Sequence, residues 1–374
     1  MAKNRIIYQS QSVYAGPSAP SGTYLSETGD ASAGVRAAKP ASLQRVQNVN
    51  YSFDISRTDV NQFGQLANID RVVLESPTVS MDFSYYFATF ANEKKLGFTI
   101  MNDSTLKSSI SGMLNRTTDE RNYYIRVTAE GQDSVGDSTT GAATNDVVGI
   151  GNAFLASYSA DASVGDFPTC SITVEALNIA FDKGMTGNVL PKINPVNGAK
   201  ESTLQYALDT ATADVTASEV YSVVRPGDIT MTLDNGGLGA DISDAKIQSY
   251  SLSFDLAREP LQKLGSKFAF AREMTFPVTV SLSVDALLGD LETGNLADVI
   301  SGDATNTFDA TITLASGATA DHCKYILKKA RLDGHSYSTS IGDNKTVTLN
   351  MSSQIGSAQQ SDVGLFMSGK GHDA

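Results

Sequence analysis

Few residues in this chain are suited to metal binding or nucleophilic chemistry. There are three histidines and two cysteines. His322 and Cys323 are adjacent, so in a strand their side chains would point to opposite faces and would not share a metal ion. Cys170 and Cys323 lie far apart and form no CxxC motif, which favours two buried free thiols; a single disulfide between them stays open. The sequence predicts no transition-metal site.

Other chemical motifs are equally incomplete. The stretch that begins at Asn235, NGGLGA, has neither the lysine nor the strand-to-helix setting of a phosphate-binding loop, so it is interpreted as a turn. Asp234, Asp241 and Asp244 would suit Ca²⁺, but their spacing is not that of an EF-hand loop. No GxSxG motif occurs, and the remaining carboxylates are scattered among turns. We therefore expect no catalytic residues, no metal site and no cofactor.

The charge excludes one large functional class. The 374 residues carry 28 Lys+Arg against 41 Asp+Glu, a net charge of −13. A protein that grips nucleic acid by neutralising phosphates needs a basic face, so this balance argues against a nucleic-acid binder. The first residues contain no apolar segment of a secretory signal, and no apolar run reaches the ~20 residues that cross a bilayer. We expect synthesis in a cytoplasm and no membrane insertion.

The chain repeats itself. Residues 45–84 align without gaps on residues 246–285, at an offset of 201, with ten identities in 40 positions. A second block, 155–174, aligns on 332–351 at an offset of 177. Because the two blocks keep the same order, the sequence predicts a tandem duplication; shared Ser/Thr-rich composition is the alternative. The predicted domains are 1–190, with 1–42 as an extended N-terminal arm, and 191–374, the repeat of the first.

The repeated blocks alternate polar and apolar residues with a period of two, which predicts strands with one core face and one wet face. The predicted fold is mainly β, with two tandem β-sandwich or open-barrel domains, each flanked by one helix. The helices are predicted at 102–114 and 291–300 from their apolar spacing. The 24 extra residues of the first half are assigned to an acidic loop around 129–146.

The predicted wet face lacks the lysines and glutamates of an ordinary solvent face. It carries small hydroxyls, asparagines and aspartates, which fits either plain strand propensity or a smooth, weakly acidic wall. Its members are Asn48, Ser52, Asp54, Ser80 and Asp82, and in the repeat Ser249, Ser253, Asp255, Ser281 and Asp285.

Two segments of the second half carry a family resemblance. Residues 254–284, FDLAREPLQKLGSKFAFAREMTFPVTVSLSV, and 336–351, SYSTSIGDNKTVTLNM, resemble the tail tube proteins of long-tailed bacteriophages. The resemblance lies in the residue pattern and in short stretches of sequence, without an invariant motif, and it covers about half of the chain. It implies a β-sandwich with a flanking helix, assembled into stacked hexameric rings whose inner sheets form a continuous lumen for the genome, with no catalytic residues. The duplication is a departure, since many members have one such domain per chain.

This resemblance, together with the duplication, predicts a structural virion protein of the phage tail. Three chains would form a pseudo-sixfold ring, a homotrimer, and the ten wet-face residues would line an acidic conduit for DNA ejection. The predicted partners are other copies of the chain, the tape measure, terminator and tip proteins, and viral DNA that passes without specific binding. Assembly is expected in the host bacterial cytoplasm. The alternatives are a tail-tip hub or tube terminator, and a β-sandwich adhesin or glycan-binding module.

Overall fold

In the computed structural model the chain folds mainly into β-strands. The structure describes residues 11–17, 40–102, 105–114, 119–128, 133–134, 146–182, 191–200, 223–234, 246–287, 307–314, 322–338 and 346–369. The first half forms β1 (Gln11–Pro17), β2 (Ala41–Ser42), β3 (Val46–Asp54), β4 (Thr58–Val60), β5 (Asp70–Val72), β6 (Thr78–Tyr86), α1 (Ala91–Leu96), β7 (Ile100–Met101), β8 (Arg121–Val127), β9 (Asp146–Ser163), β10 (Thr169–Ala176) and β11 (Asn178–Asp182). The second half forms β12 (Ile229–Asp234), β13 (Lys246–Asp255), β14 (Arg258–Leu261), β15 (Ala271–Met274), β16 (Thr279–Leu287), β17 (Phe308–Leu314), β18 (Cys323–Ser338), β19 (Thr346–Gln354) and β20 (Gly364–Ser368).

Eight of these strands form one antiparallel surface in the order β3-β6-β10-β9-β13-β16-β19-β18, here called the eight-strand sheet. The strands β9 and β18 are long, and their N-terminal parts leave this sheet to pair in a second layer. In that layer β9 pairs with β8 and β11, and β18 pairs with β17 and β20. The apolar side chains of both layers meet in one continuous core that runs through both halves.

The two halves have the same strand order. The order β3-β6-β10-β9 of the first half matches β13-β16-β19-β18 of the second, and β1-β8-β9-β11 matches β12-β17-β18-β20. The pairing registers match as well, because Val49 pairs with Phe83 and, 201 residues later, Tyr250 pairs with Val284. The two hairpins β4–β5 and β14–β15 occupy corresponding places after the first strand of each set.

Each long strand turns from one layer into the other at a residue with positive φ. Asn152 has φ 53° and Lys329, 177 residues later, has φ 49°. Both backbone N–H groups donate to a side chain of the neighbouring strand, Asn152 to Asn122 Oδ1 at 3.2 Å and Lys329 to Asp309 Oδ1 at 2.9 Å. The bend takes each of these backbone N–H groups out of the regular pairing between strands, and the side-chain oxygen accepts its hydrogen bond instead. Asn122 and Asp309 lie outside both repeat blocks that the sequence revealed.

The helix prediction for the first half was wrong in position. Residues 105–114 contain a turn and a short 3₁₀ helix, Ser111–Met113, whereas the α-helix is α1 at Ala91–Leu96. It ends at Gly97, which has φ 104° and lies so close to the Arg121 guanidinium that a Cβ would clash. The helix predicted at 291–300, the turn at 235–240, most of the acidic loop around 129–146 and most of the N-terminal arm lie outside the described residues. In the described part of the chain, no helix has both the length and the apolar character to span a membrane.

Candidate functional site: the polar face and the edges of the eight-strand sheet

The ten residues predicted for the wet face all lie on the eight-strand sheet, on strands β3, β6, β13 and β16. Each is exposed or half-buried, while the alternate positions of β6, β13 and β16 are buried in the core. The exposed or half-buried members are Asn48, Ser52, Asp54, Ser80, Asp82, Ser249, Ser253, Asp255, Ser281 and Asp285. The alternation of these strands therefore sorts side chains into a polar face and a core face, because successive Cβ atoms point to opposite sides.

Cross-strand hydrogen bonds connect the polar side chains of the first half. Asn50 Nδ2 donates to Asp82 Oδ2 at 2.9 Å, and the hydroxyl oxygens of Ser52 and Ser80 are 2.9 Å apart. These pairs face each other directly across β3 and β6. Donors that would otherwise be offered to a passing ligand are thus engaged within the sheet.

The second half has its own network, centred on Asp285. Its carboxylate accepts hydrogen bonds from the Ser249 hydroxyl at 2.8 Å and from the Thr348 hydroxyl at 2.5 Å. Next to it, Ser283 donates to Asn350 Oδ1 at 2.9 Å. Here too the short side chains bond to one another across strands, which leaves a low, even surface.

Carboxylates outnumber cations in the strand segments of this face, which carry Lys246 on β13 and Arg331 on β18. Segments 48–54, 78–86, 169–175, 249–255, 279–285 and 346–354 of six of its strands contain no lysine or arginine. Their acidic residues are Asp54, Asp82, Glu175, Asp255 and Asp285, of which Glu175 is paired with Arg272 of β15. A surface of fixed negative charge repels phosphate, and the effect is strongest at low ionic strength.

A shallow open depression lies on the polar face where the halves meet. It is lined by residues of β9, β13 and β16, among them Asp161, Ser163, Ser251 and Asp285. Among the described residues, no group of three or more His, Cys, Asp or Glu side chains is arranged to hold a metal ion. Asp234 ends β12, while Asp241 and Asp244 of the calcium cluster considered above lie outside the described residues. The depression therefore has the character of a polar surface between strands.

The two ends of the eight-strand sheet are open among the described residues. At one end, β3 pairs only with β6; at the other, the C-terminal part of β18 pairs only with β19. The apolar side chains of β3, at one of these open ends, are also exposed. Phe53 is 58% exposed, whereas Phe254, at the corresponding place on β13, is 3% exposed. Phe254 packs against Tyr158 and Phe98 of the first half, with ring centroids 5.5 and 6.0 Å away.

The hairpins that follow these strands differ in the same way. Arg258, at the start of β14, is inserted into the first half, where it forms a bidentate ion pair with Asp119 at 2.6 and 2.8 Å. Its Nε donates to the Leu155 carbonyl at 3.0 Å, and its guanidinium lies over the Phe154 ring. Burial raises the pKa of Asp119, and the hydrogen bond and charge of Arg258 oppose that shift. Arg57, at the corresponding place, is exposed.

A buried polar cluster joins the two halves inside the core. Glu93 of α1 accepts hydrogen bonds from the Tyr85 hydroxyl at 2.7 Å and the Tyr158 hydroxyl at 3.2 Å. Tyr158 also contacts Tyr325 of β18, with the hydroxyl oxygens 2.6 Å apart. Burial raises the pKa of Glu93 to about 7, against the opposing effect of these hydrogen bonds. No sequence pattern indicated this cluster, because its members are spread over four elements and share no motif.

Both cysteines are buried and free, as the sequence favoured. Cys170 Sγ lies 3.5 Å from the Tyr158 hydroxyl, and burial raises the pKa of its thiol well above the ordinary value. A buried thiol with a raised pKa is a poor nucleophile. Cys323 is packed in the core at the start of β18, next to His322.

Comparisons with known proteins assign no family to the chain. No protein-family model matches the chain, and no curated protein matches it. Among solved structures, one similar chain comes from a structure described as the virion of a native gene transfer agent particle, with 16% sequence identity and a TM-score of 0.22. The match covers 38% of this chain and 97% of that one. What the observations establish is a mainly β protein built on a large, mostly antiparallel sheet.

Proposed function

We propose that this chain is a structural subunit of a phage tail tube, which assembles by self-association into rings and then stacks. The observation that carries the proposal is the eight-strand sheet, which has a polar acidic face and, among the residues that the structure describes, two open ends. An open sheet edge offers a row of unpaired backbone N–H and C=O groups, which a partner strand can complete. The resemblance of residues 254–284 and 336–351 to tail tube proteins supports the same role.

The matching strand order of the two halves supports a duplicated domain, with 1–190 and 191–374 as the two copies. Each copy contributes four strands to the eight-strand sheet. If each copy fills one of six ring positions, three chains complete a ring with pseudo-sixfold symmetry. Head-to-tail contacts of this type close into a ring when the rotation between neighbours divides a full turn.

In the proposed ring the polar face lines the lumen. Asp54, Asp82, Asp255 and Asp285 would repel the phosphates of passing DNA, and the short side chains, already bonded to each other, would offer few groups for it to bind. Viral DNA would therefore meet this surface constantly during ejection without being held. The role is structural and requires neither a catalytic residue nor a cofactor.

Ring-to-ring contacts are assigned to the hairpins and to the N-terminal arm. The segment that connects β4 and β5 carries fully exposed apolar side chains at Phe63 and Leu66, with Ile69 half exposed. Apolar side chains in such a position are typical of a protein contact. The further partners proposed are the tape measure, terminator and tip proteins of the tail. The chain would reside in the virion after assembly in the cytoplasm of a bacterial host.

Electron microscopy of the purified protein tests the proposal, together with native mass spectrometry of its rings. We expect hollow tubes built from rings of three chains, with Asp54 and Asp255 on the inner wall. Rings of six whole chains would contradict the trimer, and Asp54 and Asp255 on the outer wall would contradict the acidic lumen. Single rings that never stack would point to a tail-tip hub or a tube terminator, and a monomer at all concentrations would refute the assembly role.

A further inference from the structure

We propose that the open edge of β3 in one chain pairs with the C-terminal part of β18 in a second molecule of the same chain. The pairing would have the same register as the seam that joins the two halves within one chain. This inference rests on the proposed function, which it deepens by naming the partner strand and the residues that face each other. It is drawn from the pairing of β9 with β13, here called the internal seam.

The internal seam is antiparallel and regular. Ser159 lies opposite Ser253, and the Leu256 N–H donates to the Ala156 carbonyl at 2.7 Å. Ala156 and Leu256 are therefore a hydrogen-bonded pair. Since hydrogen-bonded and non-hydrogen-bonded pairs alternate along an antiparallel ladder, Ser159 and Ser253, three residues along, form a non-hydrogen-bonded pair. The side chains at such a pair are the closest across the two strands.

The residue pairing of the internal seam can be transferred to the two open edges, because the strands of the two halves correspond residue by residue. Strand β13 corresponds to β3 at an offset of 201, and β18 corresponds to β9 at an offset of 177, because Ser338 pairs with Thr346 as Asp161 pairs with Thr169. Applying both offsets places residues 334–338 of one copy opposite residues 50–54 of the other. Ser336 then lies opposite Ser52, as Ser159 lies opposite Ser253, and the Ile55 N–H reaches the Asp333 carbonyl.

Exposed apolar side chains are found at the places where this seam would cover them. Tyr51, Phe53 and Ile55 on β3 are exposed, while Leu252, Phe254 and Leu256 of β13, at the corresponding places, are buried by the internal seam. On the opposite edge, Tyr337 is 54% exposed, and the translated register places it directly opposite Tyr51. Aromatic pairs across two strands stabilise a sheet.

A second copy is the partner that fits both edges at once. The β3 edge and the β18 edge end the same sheet on opposite sides, with six strands and therefore seven strand spacings between them, about 33 Å in all. Within the sheet as described they are therefore separated, yet each has the sequence and strand order of one side of the internal seam. A contact that uses different surfaces on the two partners leaves one free edge of each kind, so it propagates until a ring closes.

Disulfide trapping in the full-length chain tests the register. The variant pair S52C/S336C places two thiols at the predicted non-hydrogen-bonded pair, within the Cα separation of 4.4–6.8 Å that a disulfide needs. Under mild oxidation we expect covalently linked multimers on a non-reducing gel, which dithiothreitol dissolves. The native Cys170 and Cys323 are buried and should not contribute.

Two controls accompany it. S52C/S338C moves one thiol by two residues on the same edge and should cross-link at least tenfold less. S159C/S253C lies in the internal seam and should form its disulfide within one chain, whether or not the protein assembles, which shows that the oxidation works.

The outcomes distinguish an error in the proposed strand pairing from an error in the proposed tail-tube function. If electron microscopy shows rings or tubes but S52C/S336C fails to link while S52C/S338C links, the register is wrong and the tube role stands. If neither pair links although rings form, the seam uses other edges and the inference fails. If the wild-type chain forms no multimer by microscopy or native mass spectrometry, the seam and the proposed function both fail.

Discussion

The two strand-and-hairpin units of this molecule, β3 with β4–β5 and β13 with β14–β15, have similar sequences and opposite surroundings. Phe53 and Phe254 follow the same pattern, yet one is largely exposed and the other is packed against Tyr158. Arg57 is exposed, and Arg258 is buried in an ion pair with the other half of the chain. The second unit is therefore packed against the other half of its own chain, while the first has no such support among the described residues.

Truncating the buried aromatic ring should give the largest effect on stability. We expect Phe254→Ala to lower the free energy of unfolding by about 3–5 kcal/mol, because it removes a buried ring from a packed core. The matched change Phe53→Ala should cost under about 1 kcal/mol in the unassembled chain, since that ring is mostly exposed. Urea denaturation of dilute protein measures both. Equal losses would show that the two units are equally supported, which would end the comparison.

Removing the buried arginine should rank next. Arg258→Met leaves Asp119 buried without its counter-charge, and losing one partner of a buried ion pair costs about 3–5 kcal/mol. Part of that cost is recovered as Asp119 takes up a proton, so we expect about 3 kcal/mol at pH 7. Arg57→Met in the same assay should change stability by less than about 0.5 kcal/mol. A large loss for Arg57→Met would mean that it has a buried partner in the free chain.

The cluster at Glu93 predicts a pH dependence. Its folded pKa, about 7, is raised above the ordinary value of 4.5, so its contribution to stability is present below pH 4.5 and is lost as the pH rises through 7. Replacement by Glu93→Gln removes this titration. The stability of the variant relative to wild type should therefore rise by about 3 kcal/mol between pH 4.5 and pH 8. Thermal or urea unfolding at both pH values measures it, and a constant difference would contradict a buried titrating carboxyl.

A charge change on the polar face should have the smallest effect on folding and a visible effect on DNA. Asp255→Lys should alter the free energy of unfolding by less than about 0.5 kcal/mol, because the side chain is exposed. In assembled tubes it should produce salt-sensitive retention of double-stranded DNA that wild type lacks. Asp182→Lys, on β11 of the other layer, makes the same charge change and should retain none. Equal retention by both variants would argue against a lumen formed by the polar face.

Several features of the fold followed from local sequence. The alternation in segments 78–86 and 279–285 predicted strands with a polar and an apolar face, and those strands are present with that alternation. The period of two is a local property, so it survives in any tertiary context. The helix failed for the opposite reason: apolar spacing favoured 102–114, but the chain there packs as turns and the helix forms at Ala91–Leu96. Short helices depend on packing more than on propensity.

The strand pattern, the repeat with its offsets of 201 and 177, the acidity and the ten polar-face residues could be predicted from the sequence, because each is a matter of composition or spacing along the chain. Which of two similar strands is buried became evident from the folded structure alone. The tertiary fold also brought Glu93, Tyr158 and Tyr325 into one cluster and placed Arg258 on Asp119. These depend on contacts between residues far apart in sequence, which no local pattern encodes.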